Sequence, residues 1–189
     1  MIYKNVFKVV GICLMSLLLM QCGNTNKFMI SKGKVGKLSS ETTMLDLQDI
    51  FSNDSIVKNL SEGALGNNFF QDEDEYLIFE KGGKHLLTII PKEQLDSTST
   101  IKSIQVFDER FETKSGITLK STFEDIHLNN VISKVESSLT SAILFIDDLN
   151  ITITLDKEDL GLKAFSTQKI NLEQIPGLAS VKSLIVWFN

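Results

Sequence analysis

Two histidines, two cysteines and a single arginine limit the chemistry open to this chain. A structural or catalytic zinc needs three or four N, O or S ligands. Neither a His-Glu-x-x-His motif nor a spaced cysteine pair is present. A metal centre would therefore require His85 and His127 to converge with carboxylates. His85 falls in a predicted strand. His127 falls at a predicted helix end, where a cation is welcome. Both read as solvated or capping residues, and no metal is expected. Ser31, Ser55 and Ser99 each precede a lysine by three residues, and Lys114-Ser115-Gly116 follows. Such matches arise by chance in a chain rich in Ser and Lys. A Ser-Asp-Asn partner is missing, and the chain is too short for a penicillin-binding fold. No Gly-x-Ser-x-Gly elbow, phosphate-binding loop or dinucleotide fingerprint occurs. No cofactor is expected, and the chain does not read as an enzyme.

Two acidic runs remain. Asp72-Glu73-Asp74-Glu75 lacks the alternating spacing that wraps a calcium ion and reads as a solvated loop before a strand. Asp147-Asp148 reads as turn chemistry. The best surface candidate is Phe107-Asp108-Glu109-Arg110-Phe111, which sets the only arginine between two phenylalanines. Arginine and aromatic residues are what interface hot spots are made of. Phe107, Asp108, Arg110 and Phe111 are therefore the candidate interface. The competing reading is an ion pair over core phenylalanines.

The 189 residues are 42% hydrophobic and 23% charged, with net charge −5. That is a globular composition, not a disordered one. No basic stripe exists to displace counterions from phosphate, so nucleic acid is not an expected partner.

Elements that could position these residues begin after a leader. Lys4 and Lys8 precede the apolar run Val9–Met20, and no acid interrupts them. This is the pattern of a secretory signal. Twelve apolar residues cover about 18 Å as a helix, short of the ~30 Å hydrocarbon core. The run ends in Leu19-Met20-Gln21-Cys22, which resembles the lipobox of bacterial lipoproteins, with Gln21 in place of the usual small residue. The resemblance implies that Cys22 is acylated and becomes the mature N-terminus. Ordinary cleavage leaving a free Cys22, and an uncleaved anchor, are the alternatives. Acylation also accounts for the one cysteine left after Cys13 departs with the leader. No acidic run follows Cys22, where Gly23-Asn24-Thr25-Asn26-Lys27 stands. By resemblance to lipoprotein sorting signals, Gly23 there implies delivery to the outer membrane.

The rest reads as one unit used twice. Thr43–Leu47 resembles Thr122–Ile126, Phe79–Leu95 aligns without a gap on Leu144–Leu160, and Ile101–Phe107 aligns on Val181–Trp187. The order is the same in both halves. Thr43-x-x-Asp46 and Ser121-x-x-Glu124 look like capping boxes of helices some 8–10 residues long. Met44, Leu47 and Phe51 give one apolar face, and Phe123 and Ile126 the other. Hairpins follow, around Gly82-Gly83 and around Asp147-Asp148-Leu149. Each unit closes with a strand, Ile101–Phe107 or Val181–Phe188. The run Ile185-Val186-Trp187-Phe188 breaks alternation, so both faces of the last strand are expected to be covered, the alternative being one exposed apolar patch.

The expected fold is α+β, with two tandem helix-plus-three-strand antiparallel units. Residues 1–21 form the signal peptide, 22–30 the lipidated cysteine and tether, 31–110 the first unit and 111–189 the second. The pattern Gly116 to Ile126, preceded by Thr113, resembles β-lactamase inhibitor protein, the small lipoprotein of the outer-membrane assembly machine and related envelope lipoproteins. The implied function is a lipid-anchored, non-enzymatic binding or assembly module. Its partners would be the membrane, through the lipid, and an envelope protein. A metal-dependent hydrolase or an inhibitor of an envelope enzyme is the alternative.

Overall fold

The structure, a computed structural model, describes residues 27–61, 73–163, 165 and 168–188. Residues 1–26, with Cys22, lie outside the described residues. The chain opens on three short strands: β1 (Met29–Ser31), β2 (Lys34–Val35) and β3 (Leu38–Ser39). Ile30 and Ser31 of β1 pair with Val35 and Lys34 of β2, and Val35 pairs with Leu38 of β3. Ile30, Val35 and Leu38 thus share one side, and all three are buried. Gly36 makes the tight return after β2. Its φ is +57°, and a Cβ there would stand 2.3 Å from the Lys27 carbonyl oxygen. Only glycine tolerates both.

A short helix, α1 (Leu47–Ile50), leads into the first meander: β4 (Ser55–Asn59), β5 (Glu75–Phe79), β6 (His85–Pro91) and β7 (Ile101–Val106). β8 (Glu112–Thr113) then returns to pair in parallel with β1, completing a four-stranded sheet. The helix α2 (Phe123–Asn129) leads into the second meander: β9 (Lys134–Ser137), β10 (Ser141–Ile146), β11 (Ile151–Asp156) and β12 (Val181–Trp187). The meanders join through β7 and β12, which pair antiparallel at Gln105–Ile185 and Ile104–Val186. One eight-stranded sheet results, in the order β4-β5-β6-β7-β12-β11-β10-β9.

Cross-strand register fixes which residues share the inner face. Ile104 lies opposite Ile89 on one side and Val186 on the other, and Val186 lies opposite Ile151. Against this face pack Ile30, Val35 and Leu38, the α1 region (Met44, Leu47, Phe51), and Phe123 and Ile126 of α2. The segment between β11 and β12 adds Leu160, Ile170 and Ile175. All belong to one buried cluster.

The α+β expectation of helix-plus-three-strand units is overturned. Among the described residues there are twelve strands, in sheets of four and eight, and two short α-helices. The protein is mostly β. The helices expected at 8–10 residues measure four and seven. Thr43 does donate its N–H and hydroxyl to Asp46, at 2.8 and 2.7 Å, but the helix begins only after Asp46 and stops within about one turn. The second capping box is one residue later than expected, between Thr122 and Asp125. Ser121 is buried, and its hydroxyl instead accepts from the Thr118 N–H. Strands β4 and β9 were not expected. Each is an edge strand that mixes lysine and polar residues with few inward apolar ones, a weak period-2 signal. Ile30, placed in the tether by its position, has no exposed surface.

Candidate functional site

The eight-stranded sheet has a second face. Its outward residues on β5 and β6 include Leu77, Phe79 and Ile90. On β12 and β10 they are Ile185, Trp187, Ile143 and Phe145. All are half-buried. None belongs to the buried core, and none packs against it. Register puts them in rows: Leu77 opposite Thr88, Thr88 opposite Gln105, Gln105 opposite Ile185, Ile185 opposite Thr152, and Thr152 opposite Phe145. The middle of the face is therefore small and hydroxylated, with Thr88, Ser103 and Thr152 shaded by larger neighbours. The Trp187 indole N–H donates to Thr152 Oγ1 at 3.0 Å, which fixes the ring on the sheet. At the far edge the Lys134 ammonium lies 5.4 Å from the Phe145 ring centre, within cation–π range.

At one end of this face three rings stack. His85 lies between Phe107, 3.9 Å away, and Phe79, 4.7 Å away, with near-parallel planes. A bulge makes this possible. Ile78 pairs with Leu87 while Phe79 pairs with His85, so Leu86 is the extra residue and turns inward. Thr88 Oγ1 and the Leu87 carbonyl both lie 3.1 Å from His85 Nε2. Burial pushes the His85 pKa down, outweighing the Leu87 hydrogen bond and the charge of Glu75. The ring is neutral at pH 7, and the stack is an apolar platform rather than a cationic one.

The segment 107–111 divides between two jobs. Phe107 faces outward and is 42% exposed. Asp108 has no exposed surface and accepts from the Arg110 backbone N–H at 2.9 Å. It also accepts from Arg110 Nη2 at 2.6 Å and lies 3.1 Å from the Lys84 ammonium. Arg110 reaches Glu80 at 2.8 Å and lies over the Phe28 ring at 4.3 Å. Phe111 is buried and meets Phe28 edge-on. Asp108, Arg110 and Phe111 thus form an ion-pair cluster over core phenylalanines, and only Phe107 is on the open face.

Of the other candidates, His127 stacks on Phe123 of its own helix, at 5.4 Å. It lines a shallow groove of about 580 Å³ with Leu128, Asn130 and Asp148. That helix covers the inner face, whereas His85 lies on the outer one, so the two histidines do not meet. Among the described residues no three metal-ligating side chains converge. No helix among them is long and apolar enough to cross a membrane. In the acidic run Asp74 is buried, not solvated as expected. It accepts from the N–H groups of Leu95 and Ser61 and from the Ser61 hydroxyl. Burial pushes its carboxyl up, but these hydrogen bonds outweigh it and hold the pKa below the ordinary value. No residue pattern could announce that clamp, because its donors are mostly backbone.

Covering of both faces of the last strand is also corrected. Leu184, Val186 and Phe188 are buried inward, while Ile185 and Trp187 stand on the open face. Phe79 and Phe145 are the surface residues that sequence reasoning missed, and Trp187 matches the alternative of an exposed apolar patch. Their signal was present in strands with apolar residues on both faces, which the eye assigns to a covered sheet.

No family model matches the chain, and no curated protein matches it. Among solved structures it is similar to the uncharacterized protein YfeY from Escherichia coli, with 13% sequence identity and a TM-score of 0.54. The match covers 84% of this chain and 99% of that one. The likeness is one of fold.

Proposed function

We propose that this protein is a non-enzymatic binding module of the cell envelope, anchored through acylated Cys22 in the outer membrane. A protein partner would be received on the open face of the eight-stranded sheet. The observation that carries the reading is the set of aromatic and branched side chains on that face, Phe79, Phe107, Trp187, Ile185 and Phe145, spread over three cross-strand rows around a hydroxylated middle. Large contiguous apolar patches are rare on free surfaces and mark interaction sites. The face is broad and flat-floored rather than a closed cleft, which suits a macromolecule better than a small ligand. Trp187 and the His85 stack are held in place before binding, so little ordering cost remains. The resemblance of Leu19–Cys22 to a lipobox supports the anchor.

Two measurements test this. Labelled palmitate is expected to enter the wild-type protein and not Cys22→Ser; a wild-type protein without label ends the anchor reading. A photo-crosslinking phenylalanine analogue at position 107 or 145, in cells, is expected to yield the same discrete adduct. Placed at Leu178, which is exposed elsewhere, it is expected to yield none. Ile185→Asp should reduce the adduct at least tenfold with little change in the thermal midpoint. The same adduct from position 178, or none from 107 and 145, would overturn the binding-face assignment.

A further inference from the structure

We infer that the outward side of the small N-terminal sheet docks on anionic phospholipid headgroups of the membrane that holds the anchor. The inference rests on the lipid-anchor reading and adds an orientation to it. Residues 27–40 contain Lys27, Lys32, Lys34 and Lys37 and no acid, in a chain of net charge −5. The fold exposes all four. Ile30, Val35 and Leu38 point to the core, so the cross-strand pair Ser31–Lys34 points away from it. Lys32 and Lys37 occupy the two turns. Among the described residues Lys32, Lys34 and Lys37 form no ion pair; Lys32 only approaches the Asp147 carbonyl, at 3.5 Å. Lys27 is matched by Asp54 and Glu80, at 3.5 and 3.7 Å. Acids stand at its margins: Asp54 and Glu80 at Lys27, Asp147 near Lys32, and Glu112 opposite Met29 in the ladder.

Chain length places this patch at the bilayer. Five peptide units link Cys22 to Lys27, and they span at most about 18 Å. The packing of the Lys27 carbonyl into the Gly36 turn ties that end of the tether to the basic sheet itself. A lysine near an anionic surface contributes roughly fivefold to attraction, and the effect fades within a Debye length of about 8 Å. One acyl anchor plus a basic patch is a recurring pair of membrane signals. Because the small sheet packs on the inner side of the eight-stranded sheet, docking it on headgroups turns the aromatic face away from the bilayer.

The test uses the acylated protein in vesicles of phosphatidylcholine, with or without roughly a third phosphatidylglycerol. Amine-reactive labelling is read residue by residue by mass spectrometry. With phosphatidylglycerol, labelling of Lys32, Lys34 and Lys37 is expected to fall at least fivefold, and to recover at about 1 M salt. Labelling of Lys92 and Lys163, exposed elsewhere, should not change. Equal labelling of the three lysines in both vesicles overturns the docking and leaves the anchor standing. An intact mass without acyl chains removes the anchor, and the docking with it.

Discussion

Asp108→Ala is expected to lower the unfolding free energy by about 3 kcal/mol at neutral pH, the scale for removing one partner of a buried ion pair. The carboxylate has no exposed surface. It accepts from the Arg110 backbone and guanidinium, and Lys84 lies beside it. Its loss leaves the Arg110 backbone donor unmet and two cations facing each other. Both cations are partly exposed, so water relieves part of the penalty and keeps the cost near the low end. The same residue shapes the response to acid. Burial pushes its carboxyl up, but the Arg110 and Lys84 contacts outweigh that and hold it at about 2, against an ordinary value of 3.8. A depressed folded pKa means stabilisation that is complete above the unfolded value. It is lost as pH falls through the folded one, here from about pH 4 to pH 2. The linked free energy is about 2 kcal/mol. Urea unfolding of wild type and Asp108→Asn across that range is the check. Wild type should lose the difference between them, and parallel curves would show that the carboxylate is not held as described.

Ending the chain after Ser183 is expected to abolish the folded state. β12 lies between β7 and β11 and is hydrogen-bonded to both. Leu184, Val186 and Phe188 are buried in the core. Each costs about 2–5 kcal/mol when cut to alanine, and the sum is as large as the ~5–15 kcal/mol that holds a domain together. Calorimetry on the truncated chain should show no cooperative transition. A transition at the wild-type midpoint would mean that the meanders hold without their joint. Phe188→Ala alone should cost about 3–5 kcal/mol. Trp187→Ala should cost less, because its ring lies on the open face and is only half-buried.

Period-2 alternation made β11 legible, the matching apolar runs Ile101–Phe107 and Val181–Phe188 made β7 and β12 legible, and Gly82-Gly83 announced its turn because both residues take positive φ. What failed has identifiable causes. Thr43 and Asp46 satisfy each other locally, and that motif forms whether or not a helix follows, so it overstated α1. The gapless alignment of Phe79–Leu95 on Leu144–Leu160 is out of register, by three residues on β5 and β10 and by one on β6 and β11. It sets Thr88 on Ile153, an outward residue on an inward one. The ladders instead match Leu87 and Ile89 to Ile151 and Ile153, through their partners on β7 and β12. The source of the slip is hairpin length: eight residues separate the paired Ile78 and Leu87, and four separate the paired Ile146 and Ile151. Of the candidate interface, Phe107 is on the open face. Asp108 and Arg110 answer to each other because a lone arginine between two acids finds them before it finds a partner protein.

The position of β12 also orders events in time. It follows every other described strand in the chain, yet it is a middle strand of the sheet. Until it arrives, β7 and β11 both present unpaired backbone edges, and the inner faces of both meanders lack their shared centre. Contacts such as Gln105 with Ile185 bridge 80 residues of chain, and long-range pairings of this kind are slow to form. Until β12 emerges, the nascent chain therefore has open strand edges, the state in which chains aggregate. Lys134 on β9 and Lys58 on β4 guard only the permanent edges of the finished sheet. The temporary ones at β7 and β11 carry one charge each, Lys102 and Asp156, close to a strand end, and the rest of their length is uncharged until β12 is made.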